Sequence, residues 1–296
     1  MTTLAPFEIH RVTSVAEASG LIGELGDEAV LYAGGTELLL LMKLGFARYE
    51  HLVDIKPIVE LGVLEEREGA LHIGATVSHH TLQRSPLVHA GWPDLSEMEL
   101  WVANVRVRTT GSLGGNLAFA DPHSDPATFL LAAAARVDLA RGDGRRSMGV
   151  DEFVLGPYET ALEPGELLVG VEVPRLPVGA AMAHLRFAFH ERPAATVSAW
   201  VVLRDGRIAD ARVAVGSVGV RPVLVPNVSE ELAGQASDGI DGEALGALGR
   251  AAAEASEPVS DANGSDDYKA ALVATLVGRA LREAATRAGR RGEAAA

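Results

Sequence analysis

"AVLYAGGTELLLLMKLG", residues 29–45, is the stretch on which the reading of the fold turns. An apolar run that reads as a strand, "AVLYA" (29–33), stops at Gly34-Gly35, and a leucine-rich helix follows at once. Thr36 is placed to cap that helix, Glu37 suits its positive end, Lys43 suits its negative end, and Gly45 can close it. Strand, double glycine and helix N-terminus in succession make an α/β turn whose backbone amides can face an anion, because glycine admits positive φ and close approach.

A second glycine cluster, "TTGSLGGN" (109–116), has the same character. Gly111, Gly114 and Gly115 supply backbone freedom, Thr36, Thr109, Thr110 and Ser112 supply hydroxyls, and Asn116 both donates and accepts. Neither cluster contains G-x-x-x-x-G-K-[ST], and neither has G-x-G-x-x-G between a strand and a helix. A nucleotide bound by the pair therefore calls for a fold outside the doubly wound dinucleotide class.

Around these turns the chain alternates strand and helix signals. Ser14 and Glu17 read as a helix start, "HLVDI" (51–55) as a second strand, and Pro57 as a break, so a first α/β unit ends near residue 58. "GVLEEREGALHIGA" reads as two strands around an acidic turn, and Ser78 caps the helix of "SHHTLQRS". "SDPATFLLAAAARV" reads as a helix with Asp125 near its start and Pro126 in its first turn, and "ELLVGVEVP" (166–174) as a buried strand. Beyond Pro177 the pattern becomes that of an antiparallel sheet with helices on one face, with Asp205-Gly206 as a hairpin turn. A last helix is expected from about 266 to 289, with 290–296 as a frayed tail.

Composition limits the function. Among 296 residues, Lys and Arg number 26 against 40 acids, a net charge of −14 that argues against nucleic acid held by phosphate neutralisation. No apolar stretch is long enough to span a membrane and the N-terminal "MTTLAPFEIHRV" has no leader pattern, so the expected address is the cytoplasm. Zero cysteines exclude disulfides, a thiolate nucleophile and a cysteine-ligated iron–sulfur cluster in this chain. Redox chemistry, if present, needs an organic cofactor. His79-His80 do not share a helix face and "DPHSD" (121–125) lacks the oriented base and oxyanion hole of a hydrolase, so no metal ligands and no catalytic acid or base are assigned.

Taken in order, "LYAGGTELLLLMKLG", "LHIGATVSHHTL", "VRTTGSLGGNLAFADPHSDPATFLLAA" and "GELLVGVEVP" resemble the FAD-binding subunit of the molybdenum hydroxylases, over about residues 5–285. That family includes the medium subunits of aerobic carbon monoxide dehydrogenases and the flavin domain of xanthine dehydrogenase. The resemblance implies an α+β chain: FAD-binding subdomains over 1–58 and 59–176, and a C-terminal domain of the carbon monoxide dehydrogenase flavoprotein type over 177–289. FAD would lie between the two subdomains, its diphosphate at the glycine turns and its ring toward the C-terminal domain.

Carried over by position, the resemblance assigns Leu31, Tyr32, Ala33, Gly34, Gly35, Thr36 and Glu37 to the cofactor, together with Gly111, Ser112, Gly114, Gly115 and Asn116. Asp125 would be a polar contact near the pyrophosphate and ribitol, Leu168 would pack on the ring, and Phe187 would lie beside it or serve as an ordinary core residue. Two positions depart from the family: Thr110 replaces a common arginine, and Thr196 a common acidic residue near the ring. The implied partners are a large molybdenum-cofactor subunit and a small two-iron two-sulfur subunit in a dimer of heterotrimers, with a small-molecule acceptor such as NAD or quinone. The alternatives are a free-standing FAD oxidoreductase, whose candidate side chains would be His184, His190, Glu191 and Arg192, or a non-catalytic nucleotide-binding assembly module.

Overall fold

A computed structural model describes residues 4–295. The chain opens with a parallel three-stranded sheet, ordered β1-β3-β2, built from β1 (Glu8–Arg11), β2 (Ala29–Tyr32) and β3 (His51–Asp54). Helices α1 (Val15–Leu25) and α2 (Leu38–Leu44) connect the strands. Ser14 Oγ accepts from the Glu17 amide at 3.1 Å while the Glu17 carboxylate reaches back to the Thr13 amide at 2.8 Å, so the start of α1 is held from both sides. Gly45 closes α2 in the left-handed region, at φ 77°. Thr36 does not cap α2 as expected: the N-cap position falls on Glu37, no side chain caps the helix, and helical bonding begins with the Leu39 amide on the Gly35 carbonyl at 3.0 Å.

The next sheet is antiparallel and five-stranded, ordered β4-β5-β10-β6-β7. Its strands are β4 (Leu64–Arg67), β5 (Ala70–Gly74), β6 (Arg136–Arg141), β7 (Gly144–Gly149) and β10 (Leu167–Pro174), with the small hairpin β8 (Val154–Gly156) and β9 (Glu159–Thr160) beside it. Between β5 and β6 run α3 (His79–Arg84), α4 (Pro86–Gly91), α5 (Pro93–Glu99), α6 (Val105–Thr110), α7 (Leu113–Phe119) and α8 (Asp125–Ala132), and α9 (Val150–Phe153) follows β7. Leu71, Ile73, Val137, Leu139, Val171 and Val173 alternate along the strands to give one buried face, on which Leu95, Leu113, Leu117, Phe129 and Leu130 of the helices pack. Helix α8 is shorter than "SDPATFLLAAAARV" suggested: Ala134 turns at φ 56°, and Arg136 already begins β6.

The C-terminal sheet is ordered β11-β12-β13-β14, from β11 (Ala180–Phe187), β12 (Ala195–Arg204), β13 (Arg207–Gly216) and β14 (Val223–Leu224). Asp205 and Gly206 link β12 to β13 with φ of 51° and 72°, the doubly positive turn that "DG" between alternating runs favours. Helices α10 (Val228–Leu232), α11 (Gly242–Ala255) and α12 (Asp266–Ala295) contribute Leu232, Leu245, Leu248, Val273, Val277 and Leu281 to the core under this sheet. The opposite face meets α8, where Thr128 and Thr196 hydroxyls lie 2.9 Å apart.

Thr196 is fully buried there and also bonds Ser217 at 3.2 Å, so it lines the join between helix and sheet. Helix α12 continues through the stretch expected as a tail, to Ala295. The cause is a partner distant in the chain: Arg291 makes paired bonds of 2.6 and 2.9 Å to Asp94, a buried carboxylate of α5, and so draws the last turns onto the preceding domain.

Candidate functional site

The two glycine turns touch through their backbones. A Cβ built on Gly34 would stand 2.2 Å from the Thr110 carbonyl oxygen and 2.8 Å from the Gly111 Cα, so only a residue without a side chain permits the approach. Gly35 lies in the left-handed region at φ 68°, with the Tyr32 ring packed against it. Lys56 stands over the same ring, with Nζ 3.8 Å from the centroid, 2.6 Å from Asp54 and 3.2 Å from the Ala33 carbonyl. Leu31, Tyr32, Ala33, Gly34, Gly35, Thr36 and Glu37 are all half-buried. Among the described residues, the amides of Gly34, Gly35, Thr36 and Glu37 donate to no protein group.

The second turn uses its donors differently. The Gly111 amide donates to the Val107 carbonyl at 2.6 Å, the Gly114 amide to Ala75 at 3.1 Å, the Gly115 amide to Ser112 Oγ at 3.2 Å, and the Asn116 amide to the Ser112 carbonyl at 2.9 Å. Thr109 and Thr110 hydroxyls return to Val105 and Arg106 carbonyls of their own helix at 2.7 and 3.3 Å. A Cβ on Gly114 would stand 2.6 Å from Ala75, whereas one on Gly115 would meet only Ser112 Oγ, at 3.0 Å. Gly114 is therefore a packing glycine, and Gly115 is limited only by the Ser112 hydroxyl. Behind the turn, the His79 amide donates to the Gly111 carbonyl at 3.2 Å and the ring Nδ1 lies 2.8 Å from Glu99, both side chains being buried.

The loop "DPHSD" sits between the second turn and the C-terminal sheet. Asp121 accepts from the His123 amide at 2.9 Å, and Ser124 caps α8 while donating to Asn116 Oδ1 at 2.7 Å. Asp125 is buried, with one oxygen 3.1 Å from His184 Nε2 and the other accepting from Arg186 at 3.0 Å. Both oxygens are engaged by β11, as an unpaired carboxylate at this depth would be costly. His123 donates from Nδ1 to the Pro193 carbonyl at 2.9 Å and lies 3.4 Å from Asp261, which pairs with the buried Lys269 at 2.7 Å.

Leu168 is buried in β10, where the pairing with β6 shifts register between Leu168 and Gly170. Phe187, at the end of β11, is half-buried and meets Phe189 and Tyr268 edge-on, with centroids 5.1 and 6.3 Å apart. From the following segment Arg192 spans both halves, reaching Glu37 at 3.1 Å and Asp121 at 3.2 Å. Burial opposes its charge, but Asp121 and Glu37 outweigh burial and hold the guanidinium above its ordinary range. Tyr158 is pushed up by burial first and by Asp121 second.

Sequence reasoning did not single out His79 with Glu99, Arg186 or Lys56, because each acts through a partner distant in the chain. Two cavities, of about 340 and 610 Å³, lie elsewhere; Trp92, Asp94, Arg175 and Arg291 line one, and Glu60, Arg67, His72 and Arg146 the other.

A cleft with unpartnered amides on one wall and side-chain-free backbone on the other fits a diphosphate-bearing group. Residues 5–176 match the family described as the FAD binding domain in molybdopterin dehydrogenase, and residues 188–284 match the CO dehydrogenase flavoprotein C-terminal domain. The chain belongs to the FAD-binding subunits of the molybdenum hydroxylases. It is thus an FAD-binding oxidoreductase subunit. It is 36% identical to the carbon monoxide dehydrogenase medium chain of Hydrogenophaga pseudoflava, over 94% of this chain and 96% of that one. It is 32% identical to the 6-hydroxypseudooxynicotine dehydrogenase complex subunit alpha of Paenarthrobacter nicotinovorans, over 95% of each. The Hydrogenophaga pseudoflava carbon monoxide dehydrogenase structure superposes with a TM-score of 0.91 at 35% identity, covering 97% of this chain and 99% of that one. A quinoline 2-oxidoreductase from Pseudomonas putida 86 gives 0.90 at 29% identity, over 97% and 99%. Among the described residues, no helix is long and apolar enough to cross a membrane.

Proposed function

We propose that this FAD-binding subunit is the last carrier of a molybdenum hydroxylase complex, taking electrons from iron–sulfur clusters on a small partner chain and delivering them to an acceptor such as NAD or a quinone. Substrate oxidation would take place at the molybdenum cofactor of a large partner chain. Bound FAD supplies the chemistry this chain lacks, because it exchanges electrons singly on one side and as a pair on the other. The four unpartnered amides at 34–37, against the second glycine turn, are the observation that carries the reading.

In this reading Gly34, Gly35, Thr36 and Glu37 donate to the diphosphate, and Leu31, Tyr32 and Ala33 form the wall beneath it. Gly111, Ser112, Gly114, Gly115 and Asn116 close the other side. Leu168 and Phe187 bound the ring, and Asp125 acts on the site by fixing β11 against α8. The subdomain limits at 58 and 176 and the dimer of heterotrimers belong to the same proposal. The chain's own work is to bind, orient and exclude water. Of His184, His190, Glu191 and Arg192, which a free-standing oxidoreductase would offer to a substrate, three are already paired, with Asp125, with Asn104, and with Glu37 and Asp121, while His190 is exposed. That pairing favours the subunit over the free-standing enzyme.

The test is the Gly115→Val variant beside the native chain. Its Cβ would meet only the Ser112 hydroxyl, at 3.0 Å, which needs to give by a few tenths of an ångström, so the fold should survive while FAD retention, read from visible flavin absorbance, is lost. Undiminished FAD binding would contradict the placement. Co-purification of the native chain with a molybdenum chain and an iron–sulfur chain is the expected outcome for the complex; substrate turnover by the isolated chain would refute it.

A further inference from the structure

A second cluster of ligating side chains lies on the first sheet, away from the cofactor cleft. Strands β1 and β3 run parallel with Glu8 opposite His51 and His10 opposite Val53. Alternation puts Glu8 and His10 on one face of β1, with the His51 side chain between them. His10 Nε2 lies 2.9 Å from His51 Nδ1, the Glu8 carboxylate lies 3.9 Å from His51 Nδ1, and one donor atom from each of the three falls within 4.8 Å of the others. The glycine turn leaves the C-terminal end of β2, whereas this cluster sits at the N-terminal end of the same sheet, where His51 also faces Ala29.

We propose that Glu8, His10 and His51 form a site for one borderline divalent cation, Zn²⁺ or its neighbours Cu²⁺ and Ni²⁺. Two imidazoles and a carboxylate are the ligand set those ions prefer over Mg²⁺ or Ca²⁺, which take all-oxygen shells. Zn–N bonds of about 2.0–2.1 Å at tetrahedral angles place donor atoms roughly 3.3 Å apart. The observed 2.9 and 3.9 Å bracket that spacing, so small side-chain rotations suffice. Glu8 is exposed and free to swing in, while the strand pairing holds the two histidines. The Glu8 amide donates to the Glu50 carbonyl and the Glu50 amide to the Glu28 carbonyl, which gathers two further acidic residues at the same sheet end and adds negative field for a dication.

The ion would clamp the four-residue edge strand β1 to the central β3, and binding only the folded chain it would stabilise the fold by mass action. The site does not depend on the proposed FAD reading. The alternative is an imidazole pair sharing one hydrogen bond, and it makes different predictions.

The experiment uses the full-length FAD-loaded chain and Zn²⁺ alone as probe, by calorimetric titration in a non-chelating buffer. One Zn²⁺ per chain at micromolar concentration, a rise in melting temperature reversed by EDTA, and a loss of affinity of roughly tenfold or more in His10→Gln and His51→Gln are expected. Cu²⁺ substituted for Zn²⁺ should show electron paramagnetic resonance coupling to two imidazole nitrogens in the native chain and to one in His10→Gln. Absence of stoichiometric binding, or binding that both substitutions leave unchanged, overturns the proposal. If His51→Gln fails to fold, His10→Gln on the edge strand and the native Cu²⁺ spectrum still decide it.

Discussion

Replacing Gly34 by alanine tests the contact between the two glycine turns directly. The residue does not occupy the positive-φ region, so alanine suits the backbone and the effect is steric alone. Its Cβ would stand 2.2 Å from the Thr110 carbonyl oxygen and 2.9 Å from the Thr110 carbonyl carbon. Reaching ordinary van der Waals separation requires the turns to part by roughly 1 Å. Both sides of the clash are backbone, so no side chain can rotate away. Overpacking of this kind costs about 1–3 kcal/mol. Because FAD is proposed to bind only the closed pair of turns, its dissociation constant should rise by roughly five- to 150-fold. The assay is equilibrium FAD titration of the cofactor-stripped chain by flavin fluorescence, with melting curves alongside. Gly20→Ala, inside α1 with nothing within 4 Å, is the control and should be neutral or stabilising by up to about 1 kcal/mol. A Gly34→Ala chain that binds FAD within twofold of the native affinity would refute the reasoning.

Truncation after residue 289 removes Arg291 and leaves the buried Asp94 with the Met182 amide at 3.0 Å and Arg287 at 3.6 Å. A loss of about 1–3 kcal/mol is expected, seen as a lower melting temperature and reproduced by Arg291→Ala; unchanged melting would favour a dispensable tail. Arg146 donates to Glu166 and holds its carboxyl below the ordinary 4.5, with a smaller opposing effect from burial. A depressed folded value stabilises above pH 4.5 and loses that contribution as pH falls through it, so the stability gap between native and Arg146→Met should close in acid; a constant gap would count against it. Arg192→Gln uncovers Glu37 and Asp121 at the cleft mouth. FAD binding should weaken about fivefold at low salt and recover as salt rises, and a salt-independent loss would indicate a packing effect instead.

Local chemistry made much of this fold legible. Ser14, Ser78, Gly45 and the Asp205-Gly206 turn act over a few residues, and each took the structure its neighbours dictate. The errors arose where a distant partner decides. Strand β1, "EIHR", is an exposed-patterned edge that pairing with β3 creates, so its own periodicity carries no signal. The end of α12 depends on Asp94, far back in the chain, and no local breaker marks it. At the site, the glycine turns stood out by composition, but which amides remain free did not. Gly114 and Gly115 are adjacent and alike in sequence, yet one is pressed against Ala75 backbone and the other meets only the Ser112 hydroxyl.

The same distinction changes what "DPHSD" does. Its residues carry the donors and acceptors of a ligand-binding loop, but their partners lie mainly in the C-terminal domain: Asp121 with Arg192, His123 with the Pro193 carbonyl and Asp261, Asp125 with His184 and Arg186. Ser124 alone turns back, to Asn116 of the second glycine turn. The loop therefore ties the C-terminal sheet to the glycine turn through one hydroxyl. Glu37 of the first turn is reached from the same domain by Arg192, so both walls of the cleft answer to one body. If the diphosphate binds as proposed, a chain with threonine at 110 would gain from this arrangement: with no basic side chain there, a cleft held in shape beforehand would let preorganised amides replace attraction at long range.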